Sequence, residues 1–148
     1  MYDKILLPTD GSLSAKRAGK HALWIADRSG ADIMVLNVID VNYLQPYYLP
    51  SFKEDLDKNL KDEGRRALQN FKEDLEESQC HGYCKNIRFT MNIQEGKPHL
   101  EILEVMEKEN VDLVVMGASG RHGIDRFTLG SVTERVLREA KIPVMVTP

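Results

Sequence analysis

Five short apolar runs, separated by stretches whose apolar residues recur at helical steps, limit what this chain can fold into more than any other feature. Residues 33–38 (IMVLNV) and 111–116 (VDLVVM) are almost continuously apolar, as strands covered on both faces are. Residues 4–7 (KILL) form a shorter run of the same kind, stopping at the turn cluster Pro8-Thr9-Asp10-Gly11, and residues 143–146 (PVMV) form the last. Residues 87–93 differ. There Ile87, Phe89, Met91 and Ile93 alternate with Arg88, Thr90 and Asn92, a two-residue period that predicts an edge strand with one face partly wet.

The intervening stretches read as helices. Ala15, Ala18, Ala22, Ile25 and Ala26 make a narrow small-residue face behind a cap at Ser12 or Ser14, with Gly30 ending the helix. Leu56, Leu60, Ala67, Leu68, Phe71 and Leu75 hold a long stripe to about residue 78, behind the capping-box spacing of Ser51 and Glu54. Pro98 suits a first helical turn ahead of Ile102, Leu103 and Met106. Ser131 and Glu134 repeat the capping-box spacing, and Leu129, Val132, Thr133, Val136, Leu137 and Ala140 share one helical face. Strands and helices in strict alternation predict a doubly wound five-stranded parallel α/β sheet with helices on both faces. Right-handed crossovers and a wet third strand favour the order 3-2-1-4-5, with residues 1–148 as a single domain.

In such a sheet ligands bind where the chain reverses direction, beyond the carboxyl ends of strands 1 and 4. That crevice brings Pro8-Thr9-Asp10 beside Met116-Gly117, more than a hundred residues away in sequence. Gly117-Ala-Ser-Gly120, nine further residues, then Gly130-Ser131 surround the start of the last helix, where N–H groups and the helix dipole favour phosphate. The bland alternative is a tight turn at Gly117 and Gly120 and a mere helix start at Gly130. It accounts for neither the spacing nor the location. There is no GxGxxG and no GxxxxGK[ST], and Gly117-Ala-Ser119-Gly120 lacks the second glycine of a nucleophile elbow.

Charge excludes some partners. The net charge of −3 resides in residues 51–79, with six Lys/Arg against nine Asp/Glu, while the remainder carries fourteen of each, so no basic face calls for nucleic acid. No apolar run is long enough to cross a bilayer, and Pro8 and Asp10 interrupt the N-terminus, which leads us to expect a cytoplasmic protein without a membrane partner. His21, His81, His99 and His122 show no metal spacing. Cys80-His81-Gly-Tyr-Cys84 is not CxxC and reads as a surface turn, its cysteines reduced.

LLPTDGS at the end of the first strand, MGASG after the fourth, and LGSVTERVLREAKIPVMV near the C-terminus resemble the universal stress protein family, specifically its ATP-binding branch. The likeness runs the length of the chain. That family's G-2x-G-9x-G-[ST] nucleotide motif corresponds without departure to Gly117, Gly120, Gly130 and Ser131. The resemblance implies an adenine-nucleotide alpha-hydrolase-like fold and a bound ATP, ADP or AMP with Mg²⁺ or Mn²⁺. It also implies Asp10 near the nucleotide and its metal ion, the backbone around Val38 bordering adenine, and Ser131, Val132 and Thr133 reaching the phosphates. Pro8, Thr9, Met116, Ser119, Gly120 and Gly123 complete the expected contact set. Family members pair through the last strand, which implies a homodimer through residues 143–147, with Pro143 and Pro148 confining the pairing to a short segment.

Residue chemistry leaves several of these roles open. Asp10 at a strand end accepts ribose hydroxyls or holds a hydrated cation, or else closes an Asx turn. Of Arg121, His122 and Arg126 in the loop over the expected phosphates, Arg121 is the choice for a guanidinium–phosphate pair. The Tyr- and Pro-rich residues 41–50 either cover the nucleotide, meet a partner, or pack over the long helix. Three functions follow: a nucleotide-dependent stress-response module, a slow ATPase or phosphotransferase, and a nucleotide-free dimerising scaffold. The intact glycine motif argues against the scaffold. Catalysis has no visible orienting partner for Asp10 or His122, so no catalytic residue is assigned.

Overall fold

In the computed structural model, residues 1–40, 50–80, 87–119 and 129–148 are described. The elements run β1 (Lys4–Pro8), α1 (Leu13–Ser29), β2 (Asp32–Ile39), α2 (Pro50–Cys80), β3 (Phe89–Glu95), α3 (Pro98–Lys108), β4 (Leu113–Gly117), α4 (Ser131–Glu139) and β5 (Val144–Thr147). All pairings are parallel, in the order β3-β2-β1-β4-β5, as expected from the sequence.

The two-residue period of the strands sorts their side chains into two cores. Ile5, Leu7, Ile33, Val35, Leu113 and Val115 face one way and pack on Ala18, Ala22 and Ala26 of α1 and on Leu68, Phe71 and Leu75 of α2. Leu6, Met34, Leu36, Val114 and Met116 face the other way, against Ile102, Val105 and Met106 of α3 and Val136 of α4. This is why the central runs have to be apolar at every position: each residue is core on one side or the other. The alanines of α1 let its backbone lie close to the sheet, and Gly19 does the same against α2, where an added Cβ would stand 3.0 Å from both Leu75 and Phe71.

Several boundaries differ from the sequence reading for identifiable reasons. Ser12, not Ser14, caps α1: its hydroxyl accepts the Ala15 N–H at 3.2 Å. The helix starts differ from the two capping-box expectations. α2 begins a residue earlier, at Pro50, whose fixed φ suits a first helical position, so Ser51 lies inside the helix. At α4 the N-cap is Gly130, and Glu134 pairs forward with Arg138 at 2.7 Å. Leu129 lies ahead of α4 and is 42% exposed, and Leu137 is 41% exposed, so the buried stripe narrows to Thr133 and Val136. β3 is an edge strand as expected, but it starts at Phe89 and leaves Met91 46% exposed, so its apolar face is not fully covered.

Candidate functional site

β1 and β4 are neighbours running in the same direction, so Thr9-Asp10 and Gly117-Ala118 leave the sheet at the same carboxyl edge. The turn after β1 is closed by its own side chains. Thr9 continues the ladder, its N–H donating to the Leu36 carbonyl at 2.8 Å. Its hydroxyl accepts the Gly11 N–H at 3.2 Å, and Asp10 Oδ1 accepts the Ser12 N–H at 2.9 Å. Asp10 therefore closes an Asx turn, one of the roles its chemistry left open, with φ +78° at Gly11 supplying the left-handed step. Its carboxylate is half-buried at the crevice margin, while Pro8 and Thr9 are buried.

After β4 the chain departs and returns to within one hydrogen bond of itself. Ala118 donates its N–H to the Thr147 carbonyl at 2.7 Å, and Gly130 donates its N–H to the Ala118 carbonyl, also at 2.7 Å. The excursion between Ala118 and Gly130 is thus pinned at its base. Thr133, 4% exposed, donates its hydroxyl to the Gly117 carbonyl at 2.9 Å and fixes α4 against the end of β4. The first helical bond of α4 runs from the Glu134 N–H to the Gly130 carbonyl, leaving the N–H groups of Ser131, Val132 and Thr133 without an intrahelical acceptor. They form the positive end of a nine-residue helix, beside the carboxyl edge of β4.

Two glycines of the spaced motif are described, and their surroundings differ. A Cβ on Gly117 would fall 2.5 Å from Ser14 Oγ and 2.9 Å from the Ser14 carbonyl carbon and Cβ, so α1 itself occupies that space. Gly130 has φ −63° and ψ 147°, extended backbone that any residue adopts. Gly120, Arg121 and Gly123, with His122 and Arg126, lie outside the described residues, as do residues 41–49 and the 81–84 part of the cysteine turn. Met116 is buried in the α3–α4 core; Val38 and Val132 pack half-buried against it, so each offers the crevice backbone more than side chain. Ser119 is half-buried just beyond Ala118, and Ser131 is exposed.

Three residues that sequence reasoning passed over support this edge. Ser14 donates its hydroxyl to the Thr147 carbonyl at 3.1 Å, so that one carbonyl accepts both Ser14 and Ala118. Thr147 is 2% exposed and ties β5 to the base of the glycine turn. Asn37 Nδ2 donates to the Thr9 carbonyl at 2.9 Å. Only Asn37 left a sequence signal, as the polar interruption of an apolar run.

The model of the universal stress protein family matches residues 1–148. The chain belongs to that family. It is 38% identical over 146 residues to the universal stress protein MJ0531 of Methanocaldococcus jannaschii, covering 99% of this chain and 82% of that protein. The solved structure of MJ0577, a universal stress protein of the same organism, superimposes with a TM-score of 0.85 at 33% identity, covering 99% of this chain and 96% of that one. A universal stress protein family structure from Arabidopsis thaliana, described with AMP bound, shares the fold at a TM-score of 0.65, with 20% identity over 98% of this chain and 90% of that one. The universal stress protein fold is therefore that of this chain, and its glycine turn sits at the sheet's reversal point.

Proposed function

We propose that the protein is an ATP-binding universal stress protein of the cytoplasm, a nucleotide-dependent regulatory module that acts as a homodimer. The observation that carries the reading is the N-terminus of α4. It presents three amide groups without an intrahelical acceptor beside the reversal between β1 and β4, and its cap, Gly130, is a glycine that no backbone angle requires. A glycine that neither φ nor a cap hydrogen bond requires is compatible with close approach of a ligand to the backbone. Phosphate oxygens are the ligand that such amides and the helix dipole favour. An adenine nucleotide is the class supported by the spaced glycines and by the Arabidopsis protein described with AMP. In this reading adenine lies along Val38, and Ser119, Gly120 and Gly123 line the turn. Arg121 pairs with phosphate.

Among the described residues no group of three His, Cys, Asp or Glu side chains gathers to hold a metal ion. A single carboxylate at Asp10 still fits Mg²⁺ or Mn²⁺ arriving with the nucleotide, because such an ion takes one or two carboxylates, phosphate oxygens and water. The ion would neutralise phosphate charge; the chain's own part is to orient Asp10 and the α4 amides. The hydrogen bonds at Thr147 support regulation: β5, an edge strand and the proposed pairing surface through residues 143–147, shares its last carbonyl with Ala118 at the base of the turn. Nucleotide contact at that turn would thereby reach the strand that pairs.

The test is direct. Protein purified without added nucleotide is denatured and its supernatant resolved by anion exchange, and the apoprotein is melted with and without Mg-ATP. Adenine nucleotide in the supernatant and a raised melting temperature are expected. Neither nucleotide nor shift would sink the reading, while a supernatant dominated by ADP would favour slow hydrolysis.

A further inference from the structure

Asn37 is an amide in a strand whose residues Ile33, Met34, Val35, Leu36 and Ile39 are buried. It lies on the same face of β2 as Ile33 and Val35, at the point where the α2-side core gives way to the carboxyl edge. A half-buried amide needs partners for its donors and its acceptor. Because a carbonyl can only accept, the bond to Thr9 fixes the amide's orientation: Nδ2 faces Thr9 and Oδ1 faces α2. There Gly64 makes the room. A Cβ at Gly64 would stand 3.0 Å from Asn37 Oδ1, and this glycine occupies a helix interior, where alanine is the better helix former. The side chain is thus gripped between the end of β1 and the flank of α2.

The Thr9 carbonyl and the Asp10 N–H belong to one planar peptide group. Holding that carbonyl sets the rotation of the Thr9–Asp10 peptide, and with it the direction in which the Asp10 side chain leaves the backbone. The Thr9 N–H is held by Leu36 and Asp10 Oδ1 by Ser12, and the Asn37 bond adds a hold on the peptide plane that links Thr9 to Asp10. We propose that Asn37 is a positioning residue that aims Asp10 at the nucleotide and its metal ion. This inference rests on the nucleotide-binding reading of the crevice.

Calorimetric titration of Mg-ATP into the wild type, Asn37→Leu, Asn37→Ser, Asp10→Ala and the Asn37→Leu/Asp10→Ala double variant tests it, with circular dichroism verifying that each is folded. Each Asn37 variant should bind about five- to tenfold more weakly, the loss expected for one hydrogen bond in the site. In the Asp10→Ala background, Asn37→Leu should cost less than about twofold, because a residue acting through Asp10 has nothing left to aim. Should Asn37→Leu fail to fold, Asn37→Ser alone and combined with Asp10→Ala carries the same cycle. Wild-type affinity in the Asn37 variants, or losses that multiply in the double variant, would overturn the positioning role. A wild type that binds no Mg-ATP would instead overturn the reading of the site.

Discussion

Gly117 and Gly130 belong to one spaced motif and meet at one turn, yet their glycines answer to different physical demands. At Gly117 the demand is internal: the backbone and side chain of Ser14 lie where a Cβ would go, at 2.5 to 2.9 Å. At Gly130 the backbone is ordinary and the cap makes no side-chain hydrogen bond. One motif position is therefore fixed by the packing of α1 on β4, whereas neither backbone angle nor cap hydrogen bond requires a glycine at the other. A spaced pattern of glycines can mix folding and binding requirements, and only coordinates separate them.

That division can be broken at each of its members. The largest effect is expected at Gly117→Ala, where two of the obstructing atoms are a backbone carbon and a Cβ that cannot swing aside. A loss of about 2–3 kcal/mol, or a fall of about 5–10 °C in Tm, should result, and Ser14→Ala should not rescue it because both atoms remain. A Tm within about 2 °C of wild type would mean that the contact is not tight. Thr133→Val comes next. It strips the hydroxyl from the Gly117 carbonyl and should cost about 1–2 kcal/mol in denaturant unfolding; an unchanged midpoint would show that water satisfies the carbonyl. The smallest effect carries the sharpest sign. Gly130→Ser supplies a hydroxyl at the α4 cap and should add a few tenths of a kcal/mol of stability, read as a slightly higher urea midpoint, while weakening Mg-ATP binding. Stability and affinity moving together would contradict the assignment of Gly130 to a ligand.

Much of the architecture could be read from the sequence because both cores impose it residue by residue. The unbroken apolar run of β2 identifies a strand covered on both faces, and the alternation in β3 identifies an edge, so the order β3-β2-β1-β4-β5 follows from chirality. Helix starts were less legible. Ser51 and Glu54, and again Ser131 and Glu134, carry capping-box spacing, but α2 starts at Pro50 and α4 is capped by Gly130, so both helices start ahead of the positions that spacing marks. The crevice could be located by topology, whereas its supports could not. Ser14 and Thr147 are separated by 133 positions and joined by a hydroxyl–carbonyl bond that leaves no local pattern. The resemblance implies Thr133 as a phosphate contact, but its hydroxyl is held by the Gly117 carbonyl, so the proposed contact falls to its N–H. Asn37 was visible as an exception within its strand, though its partner Thr9 was not.

On the proposed reading, Gly130 is the point at which a nucleotide approaches the backbone. Calorimetric titration of Mg-ATP into wild type and Gly130→Val, each with its Tm, is the most direct test. Saturable binding near one nucleotide per chain is expected for the wild type. Gly130→Val should bind at least about tenfold more weakly, with its Tm lowered by no more than about 2–4 °C, the cost of a β-branched residue at the cap. Equal affinity in the two proteins, or affinity lost only in step with unfolding, would contradict it.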